Sequence, residues 1–230
     1  TCALPISEAI AYVHKPPPDA AVNVLINGKH RCQQRLAFEE LLAHHLSMRR
    51  LRLKYQQHHS AELCLQSKLS HQLQSQLAFS LTAAQQRVYS EIKQDISSSQ
   101  PMLRLVQGDV GSGKTVVAAL TALHAVESGY QAAIMAPTEL LAYQHFKNFE
   151  QWMLPLGISI DWLSGKLKGK ARDGVLEKLS SGAAQIIVGT HALFQEGVIF
   201  NKLGLVIVDE QHRFGVHQRM ALRNKGKQSF

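Results

Sequence analysis

The stretch Leu103-Arg104-Leu105-Val106-Gln107-Gly108-Asp109-Val110-Gly111-Ser112-Gly113-Lys114-Thr115 (LRLVQGDVGSGKT) decides the fold. Leu103–Val106 reads as a short strand. Gly108–Thr115 spells GxxxxGK[ST], and a helical pattern from Lys114 to Glu127 follows at once. In that order the glycines let backbone amides turn inward around phosphates, and the helix N-terminus adds positive potential. Lys114 is then expected to reach the β- and γ-phosphates of a nucleotide, and Thr115 to offer its hydroxyl to Mg²⁺. An ordinary Gly-rich turn is the alternative, but it does not account for the strand before and the helix after.

Outward from this loop the chain alternates strand with helix. A helix over Ala83–Ile96 precedes it. Strands at Ala132–Ala136, Ile158–Leu163, Gln185–Val188 and Leu205–Val208 follow, with helices at Glu139–Trp152 and Arg172–Leu179. Such alternation predicts an α/β fold, a parallel sheet covered by helices on both faces. Ligands of these sheets bind beyond the carboxyl ends of the strands. The loops after Val106, Ala136, Val188 and Val208 are therefore where chemistry is expected. The last strand runs into LVIVDEQHRFGVHQ (205–218), four apolar residues set directly against two carboxylates. A phosphate loop needs a carboxylate on a second strand end for its metal, which Asp209 supplies. Glu210 beside it can orient the attacking water and accept its proton, a separate task from holding metal.

The N-terminal third has a different texture. Residues 1–6, TCALPI, fit nothing that follows and resemble translated adapter sequence, so they are left out of the fold reading. Lys15-Pro16-Pro17-Pro18-Asp19 is a stiff turn. From Arg31 to about Gln57 apolar residues recur at helical spacing, with Glu39 and Glu40 ahead of a basic second half. Residues 60–78 are polar, Gln-rich and read as broken helix. Residues 7–75 are thus expected to form a small α-helical appendage, and 76–230 the sheet domain.

Bulk properties narrow the classes further. Of the 230 residues 45% are hydrophobic, enough for a core, and no stretch is long and apolar enough to span a membrane. Cys2, Cys32 and Cys64 are scattered and form no CxxC, which argues for a reducing compartment, read as the cytoplasm, and against a zinc site. The twelve histidines show no metal-ligand spacing; the pairs His44-His45 and His58-His59 read as solvated. The opening residues show no secretory signal. A net charge of +8 suggests a polyanionic partner, nucleic acid first. Two basic runs strengthen this, Arg49–Lys54 and Lys166–Arg172.

Taken together, GDVGSGKT (108–115), APTELLAYQH (136–145), GTHALFQ (189–195) and DEQHRFGVHQ (209–218) resemble the motor domain of superfamily 2 helicases. Within that group the chain is similar to the bacterial ATP-dependent branch-migration DNA helicases. HKPPPDA and LLAHHLSM resemble that family's connection between wedge domain and motor, so the resemblance covers the chain from Ser7 onward. It implies a RecA-like P-loop lobe binding ATP and Mg²⁺. Phe79, Thr82 and Gln85 would form the adenine-reading motif, with Gln85 on the base. Gly108, Asp109, Val110, Gly111, Ser112, Gly113, Lys114 and Thr115 would cradle the phosphates, and Thr115 and Asp209 would hold the metal. Lys114 and Glu210 would carry the chemistry.

The DNA-contacting residues implied are Pro137, Thr138, Glu139, Gly165, Lys166, Lys168, Lys170, Thr190 and His191. From the residues alone, Thr138 is a helix N-cap, compatible with a phosphate contact through cap amides. Thr190 can donate to a phosphate. His191 reads equally as a buried structural histidine, and the lysines as a solvated loop. Gln211 and His212 resemble residues that couple the nucleotide site to DNA movement, while Arg213, Phe214 and Gly215 read as structural. The implied partners are branched DNA junctions or forks, plus a second motor lobe and a wedge domain of the same protein, acting as a monomer. The transcription-repair coupling translocases and the primosomal helicase are nearest otherwise. The former typically place Phe where this chain has Ser112, and DEQHRFG matches the branch-migration form. The sequence stops at Phe230 without a motif III, a second strand-helix domain or an arginine finger, so the isolated chain is expected to be at best a feeble ATPase. A transporter ATPase would need an LSGGQ-like signature, which is not in the sequence. A nucleic-acid-binding scaffold with an incidental loop would bind no ATP through Lys114.

Overall fold

Three prolines in a row remove three backbone donors, so the first helix of the chain stops before Pro16. The computed structural model describes residues 4–56, 63, 67–195 and 197–213, and the chain divides into two compact units between His58 and His59. The first unit holds α1 (Ile6–His14), the short α2 (Val22–Ile26) and the long α3 (Arg31–Gln56). Ala9 of α1 and Cys32 of α3 are buried, and Tyr12 stacks on His30 with ring centroids 4.4 Å apart. Beyond its first turns α3 keeps its apolar stripe, Phe38, Leu41, Leu46 and Leu53, exposed.

The second unit is built on four parallel strands, β1 (Gln131–Met135), β2 (Ile160–Leu163), β3 (Ile186–Gly189) and β4 (Leu203–Val208), in the order β2-β3-β1-β4. Its helices are α4 (Lys68–Gln76), α5 (Ala83–Ile96), α6 (Lys114–Glu127), α7 (Glu139–Met153) and α8 (Lys170–Ser181). Parallel neighbours require crossovers, and α7 and α8 are the crossovers from β1 to β2 and from β2 to β3. Strand alternation separates two cores. Ala132, Ile134, Ile186 and Val188 face α5, α6 and α7, whereas Ala133, Ile187 and Leu203 face Leu179 of α8 and Leu193. Nearly every residue of α6 from Val116 to Val126 is buried, as its near-uniform apolarity requires. At the foot of β1 the buried Gln131 makes four hydrogen bonds. Its Nε2 donates to the carbonyls of Leu179 and Ala184 at 3.0 and 2.7 Å, and its Oε1 accepts from the amides of Asn201 and Lys202 at 2.8 and 3.1 Å. The expected parallel α/β architecture with helices on both faces is what the structure shows.

Two readings of the sequence are corrected. Leu103–Val106 is not a strand. Leu103 and Leu105 point to solvent, and Met102 and Val106 rest on the core. Arg104 reaches α5, with Nε 2.6 Å from Asp95 Oδ2 and Nη1 2.6 Å from Glu91 Oε2. The segment keeps the two-residue alternation of a strand but is tethered to a helix, and the sheet edges among the described residues are β2 and β4. Texture alone also put the domain boundary too late. Leu73 of α4 is fully buried, and the Leu69 amide donates to Glu127 Oε1 of α6 at 2.7 Å. α4 therefore packs with the sheet unit, and a line after residue 75 falls inside that helix.

Candidate functional site

The Gly-rich loop folds as its glycines allow. Gly111 and Gly113 take positive φ of 81° and 78°, and Gly113 is the N-cap of α6. A side chain on Gly113 would also collide with the Gln85 amide. Lys114 bends back over the loop, its Nζ donating to the carbonyls of Gly108 and Asp109 at 2.7 and 2.8 Å. The loop from Gly108 to Ser112 is exposed, so phosphate oxygens could replace those carbonyls as acceptors for the ammonium group.

Gln85 does something the sequence reading did not foresee. Thr82 and Gln85 form a reciprocal capping box at the start of α5, with Thr82 N donating to Gln85 Oε1 at 2.8 Å and Gln85 N to Thr82 Oγ1 at 3.3 Å. Gln85 Nε2 donates to the Ser112 carbonyl at 2.8 Å. A backbone amide can only donate and a carbonyl only accept, so the orientation of the Gln85 side chain is fixed and both its ends are engaged. It ties α5 to the loop. A cavity of about 410 Å³ opens beside it, lined by Leu77, Phe79, Leu81 and Gln86 among others. Phe79 lines that cavity, and Gln86, not Gln85, is the glutamine nearest the phosphate loop that lines it.

At the end of β4, Asp209 is held from three sides. Its amide donates to the Met135 carbonyl at 2.8 Å. Oδ1 accepts from the Glu210 amide at 3.0 Å, and Oδ2 lies 2.8 Å from His145 Nε2. The His145 hydrogen bond, above all, holds the Asp209 carboxyl below the usual carboxylate range. Partial burial opposes this, and the charges of His145 and Lys114 and the Glu210 amide reinforce it. An ionised carboxylate only accepts, so His145 Nε2 carries the proton in this contact. Glu210 follows with φ of +50°, the one described non-glycine residue at positive φ, and its side chain is exposed. Gln211 and Arg213 are exposed within a short 3-10 turn. The His212 side chain, Phe214 and Gly215 lie outside the described residues.

A second cluster lies at the ends of β1, β2 and β3. Thr138 caps α7, its Oγ1 accepting from the Leu141 amide at 3.3 Å, after the half-buried Pro137. Glu139 Oε2 pairs with Lys166 Nζ at 2.7 Å, and Glu139 Oε1 accepts from Ser164 Oγ at 3.2 Å. Lys166, ahead of the smaller contributions of Ser164 and His191, keeps the Glu139 carboxyl below its ordinary range. Gly165, Lys168 and Lys170 are exposed. Thr190 and His191, both expected at the DNA, differ in exposure. Thr190 continues the parity of Ile186 and Val188 and is only 2% exposed, its Oγ1 without a hydrogen-bond partner; His191 is exposed. The hydroxyl of Thr190 is therefore not offered to a phosphate, and the buried reading of His191 fails.

His145 was missed. The signal lay in its spacing: Ala142, Phe149 and Met153 mark the buried stripe of α7, and a histidine three residues after Ala142 and four before Phe149 falls on that stripe. Among the described residues no group of His, Cys, Asp and Glu forms a ready-made metal cage, and no helix is long and apolar enough to cross a membrane. The Asp209 carboxylate offers about four acceptor sites and only two are engaged, a donor set that suits a cation held partly by phosphates.

The sequence profile of the DEAD/DEAH box helicases matches residues 82–228. The chain is 56% identical over 224 residues to the ATP-dependent DNA helicase RecG of Haemophilus influenzae, covering 97% of this chain and 32% of that protein. It is 57% identical to RecG of Pasteurella multocida, with the same coverage. Among solved structures it is similar to RecG bound to a three-way DNA junction, with TM-score 0.75 and 41% identity over 80% of this chain and 25% of that one. The chain spans about a third of the length of the curated relatives it matches.

Proposed function

This chain belongs to the DEAD/DEAH box helicase family, and on that premise we propose that it is the ATP-binding motor lobe of a RecG-type DNA helicase acting on branched junctions or forks. The observation that carries the reading is the loop itself: Gly111 and Gly113 at positive φ and Lys114 Nζ folded onto the Gly108 and Asp109 carbonyls make an exposed cationic cradle at the N-terminus of α6. Asp209, ionised at the end of β4, supports the metal part of the reading. Lys114 and the amides of 108–115 take the β- and γ-phosphates. Thr115 and Asp209 hold Mg²⁺, which neutralises phosphate charge when bound. Glu210 orients water and accepts its proton. The adenine base goes to the cavity at Phe79 and Gln86, with Gln85 fixing the loop beside it. DNA phosphates meet the α7 cap (Pro137, Thr138, Glu139), the 165–170 loop and His191, as point charges and donors indifferent to sequence. Gln211 and His212 relay between the two sites. A second motor lobe and a wedge domain are the partners within the protein, which works as a monomer in the cytoplasm.

The test is Lys114→Ala together with Glu210→Gln. The first should abolish ATP binding with an unchanged circular dichroism spectrum. The second should bind ATP and branched DNA but lose DNA-stimulated hydrolysis by orders of magnitude. ATP affinity untouched by Lys114→Ala would remove the assignment.

A further inference from the structure

We propose that His145 is a positioning residue for the magnesium carboxylate, its Nε2–H fixing the orientation of the Asp209 side chain at the end of β4. The inference rests on the reading that Asp209 takes magnesium. Its ground is the clamp on that side chain: one donor on each oxygen, His145 Nε2 on Oδ2 at 2.8 Å and the Glu210 amide on Oδ1 at 3.0 Å. A carboxylate at a strand end turns about two side-chain bonds, and a donor on one oxygen alone leaves the other free to swing. The amide belongs to the next residue and moves with Asp209. His145 comes from another element, α7, and its side chain is only 16% exposed. It is therefore the one of the two donors that ties the carboxylate to a separate, packed part of the lobe. Partners of this kind, once removed, typically cost about 10- to 100-fold in metal affinity.

α7 also begins at Thr138 and Glu139, the cap proposed to meet DNA, and His145 lies less than two turns further on.

The experiment titrates MgCl₂ against binding of a fluorescent ATP analogue by the protein, without turnover, for His145→Ala, His145→Phe, His145→Gln and Asp209→Asn, and repeats the binding in EDTA. Phe keeps the packing without the donor, and Gln returns an N–H donor. Expected are Mg²⁺ midpoints raised about 10-fold or more in the Ala and Phe variants, partial recovery in Gln, and metal-free affinity unchanged in the three His145 variants. A wild-type midpoint in His145→Phe beside a shifted one in Asp209→Asn overturns the inference and leaves the magnesium reading standing. A shift in Ala but not in Phe assigns His145 to packing and overturns it equally. An unmoved midpoint in Asp209→Asn removes the magnesium reading itself, and the inference with it.

Discussion

Glu210 stands at φ +50°, a conformation that costs an L-residue about 1–2 kcal/mol relative to the right-handed region. The turn is held by the Glu210 amide on Asp209 Oδ1 and the Arg213 amide on the Glu210 carbonyl at 2.9 Å. Strain kept at the proposed water-activating residue predicts a trade-off. Glu210→Gly should retain stability or gain up to about 1 kcal/mol in thermal melts, since glycine takes positive φ freely, while ATP hydrolysis disappears. A clear loss of stability would show that the Glu210 side chain supports the fold. Gly113 is the opposite case. At φ 78° and against the Gln85 amide, Gly113→Ala adds a strained backbone and a collision, so it should break the Gln85–Ser112 link and weaken ATP binding, read by nucleotide titration. Residue identities were legible here because glycines, lysine and paired carboxylates announce their chemistry. The engagement of Gln85 was not, because one residue type serves as capping-box member, loop tether or base reader, and only three-dimensional proximity to Ser112 selects among them.

At the scale of elements, α5 and α6 were legible to the residue, Ala83–Ile96 and Lys114–Glu127. Each has a sharp start, the Thr82–Gln85 capping box in one and the Gly113 cap in the other. The strands emerged a residue or two displaced, since an apolar run does not mark where pairing stops. Leu103–Val106 failed for a further reason: strand character in four residues says nothing of a partner, and two ion pairs to α5 hold Arg104 away from the sheet edge. Gln131 shows a cost that no pattern revealed. Gln131→Leu would leave the carbonyls of Leu179 and Ala184 and the amides of Asn201 and Lys202 without these partners. The Leu179 carbonyl keeps the amides of Gly182 and Asn201, so the buried Ala184 carbonyl bears most of the cost, and at about 1–3 kcal/mol for a buried group left unpaired the melt should show a loss of that size. A loss below about 1 kcal/mol would mean that water replaces the side chain. α7 joins the two halves of the site, so its cap is the place to disturb it. Thr138→Ala should cost about 1 kcal/mol of stability and reduce the stimulation of ATP hydrolysis by branched DNA more than it reduces basal hydrolysis.

Over the whole molecule, 25 lysines and arginines face 17 aspartates and glutamates, and this net +8 raises the encounter rate with any polyanion without saying where it docks. The docking place depends on which cations are already matched. Lys166, although largely exposed, is paired with Glu139 at 2.7 Å, whereas Lys168 of the same loop and Lys170 at the start of α8 are exposed without an ion pair among the described residues. A lysine that must leave a carboxylate to meet a phosphate gains less than a solvated one, because one ion pair replaces another. The basic run 166–172 is therefore uneven, although its sequence is nearly uniform. Replacing Lys168 and Lys170 by Gln should lower the slope of log K against log salt for duplex DNA by up to about 0.9 per contact, and Lys166→Gln should lower it less. Glu139→Gln should act in the other direction, since it removes a negative charge from the cluster and releases Lys166, giving tighter binding and a steeper slope. Titrations of a forked DNA at several salt concentrations read all three. Equal effects of Lys166→Gln and of either other lysine, with no gain in Glu139→Gln, would mean that the pair opens without cost in solution and that the cluster around Glu139 does not set the DNA-facing charge.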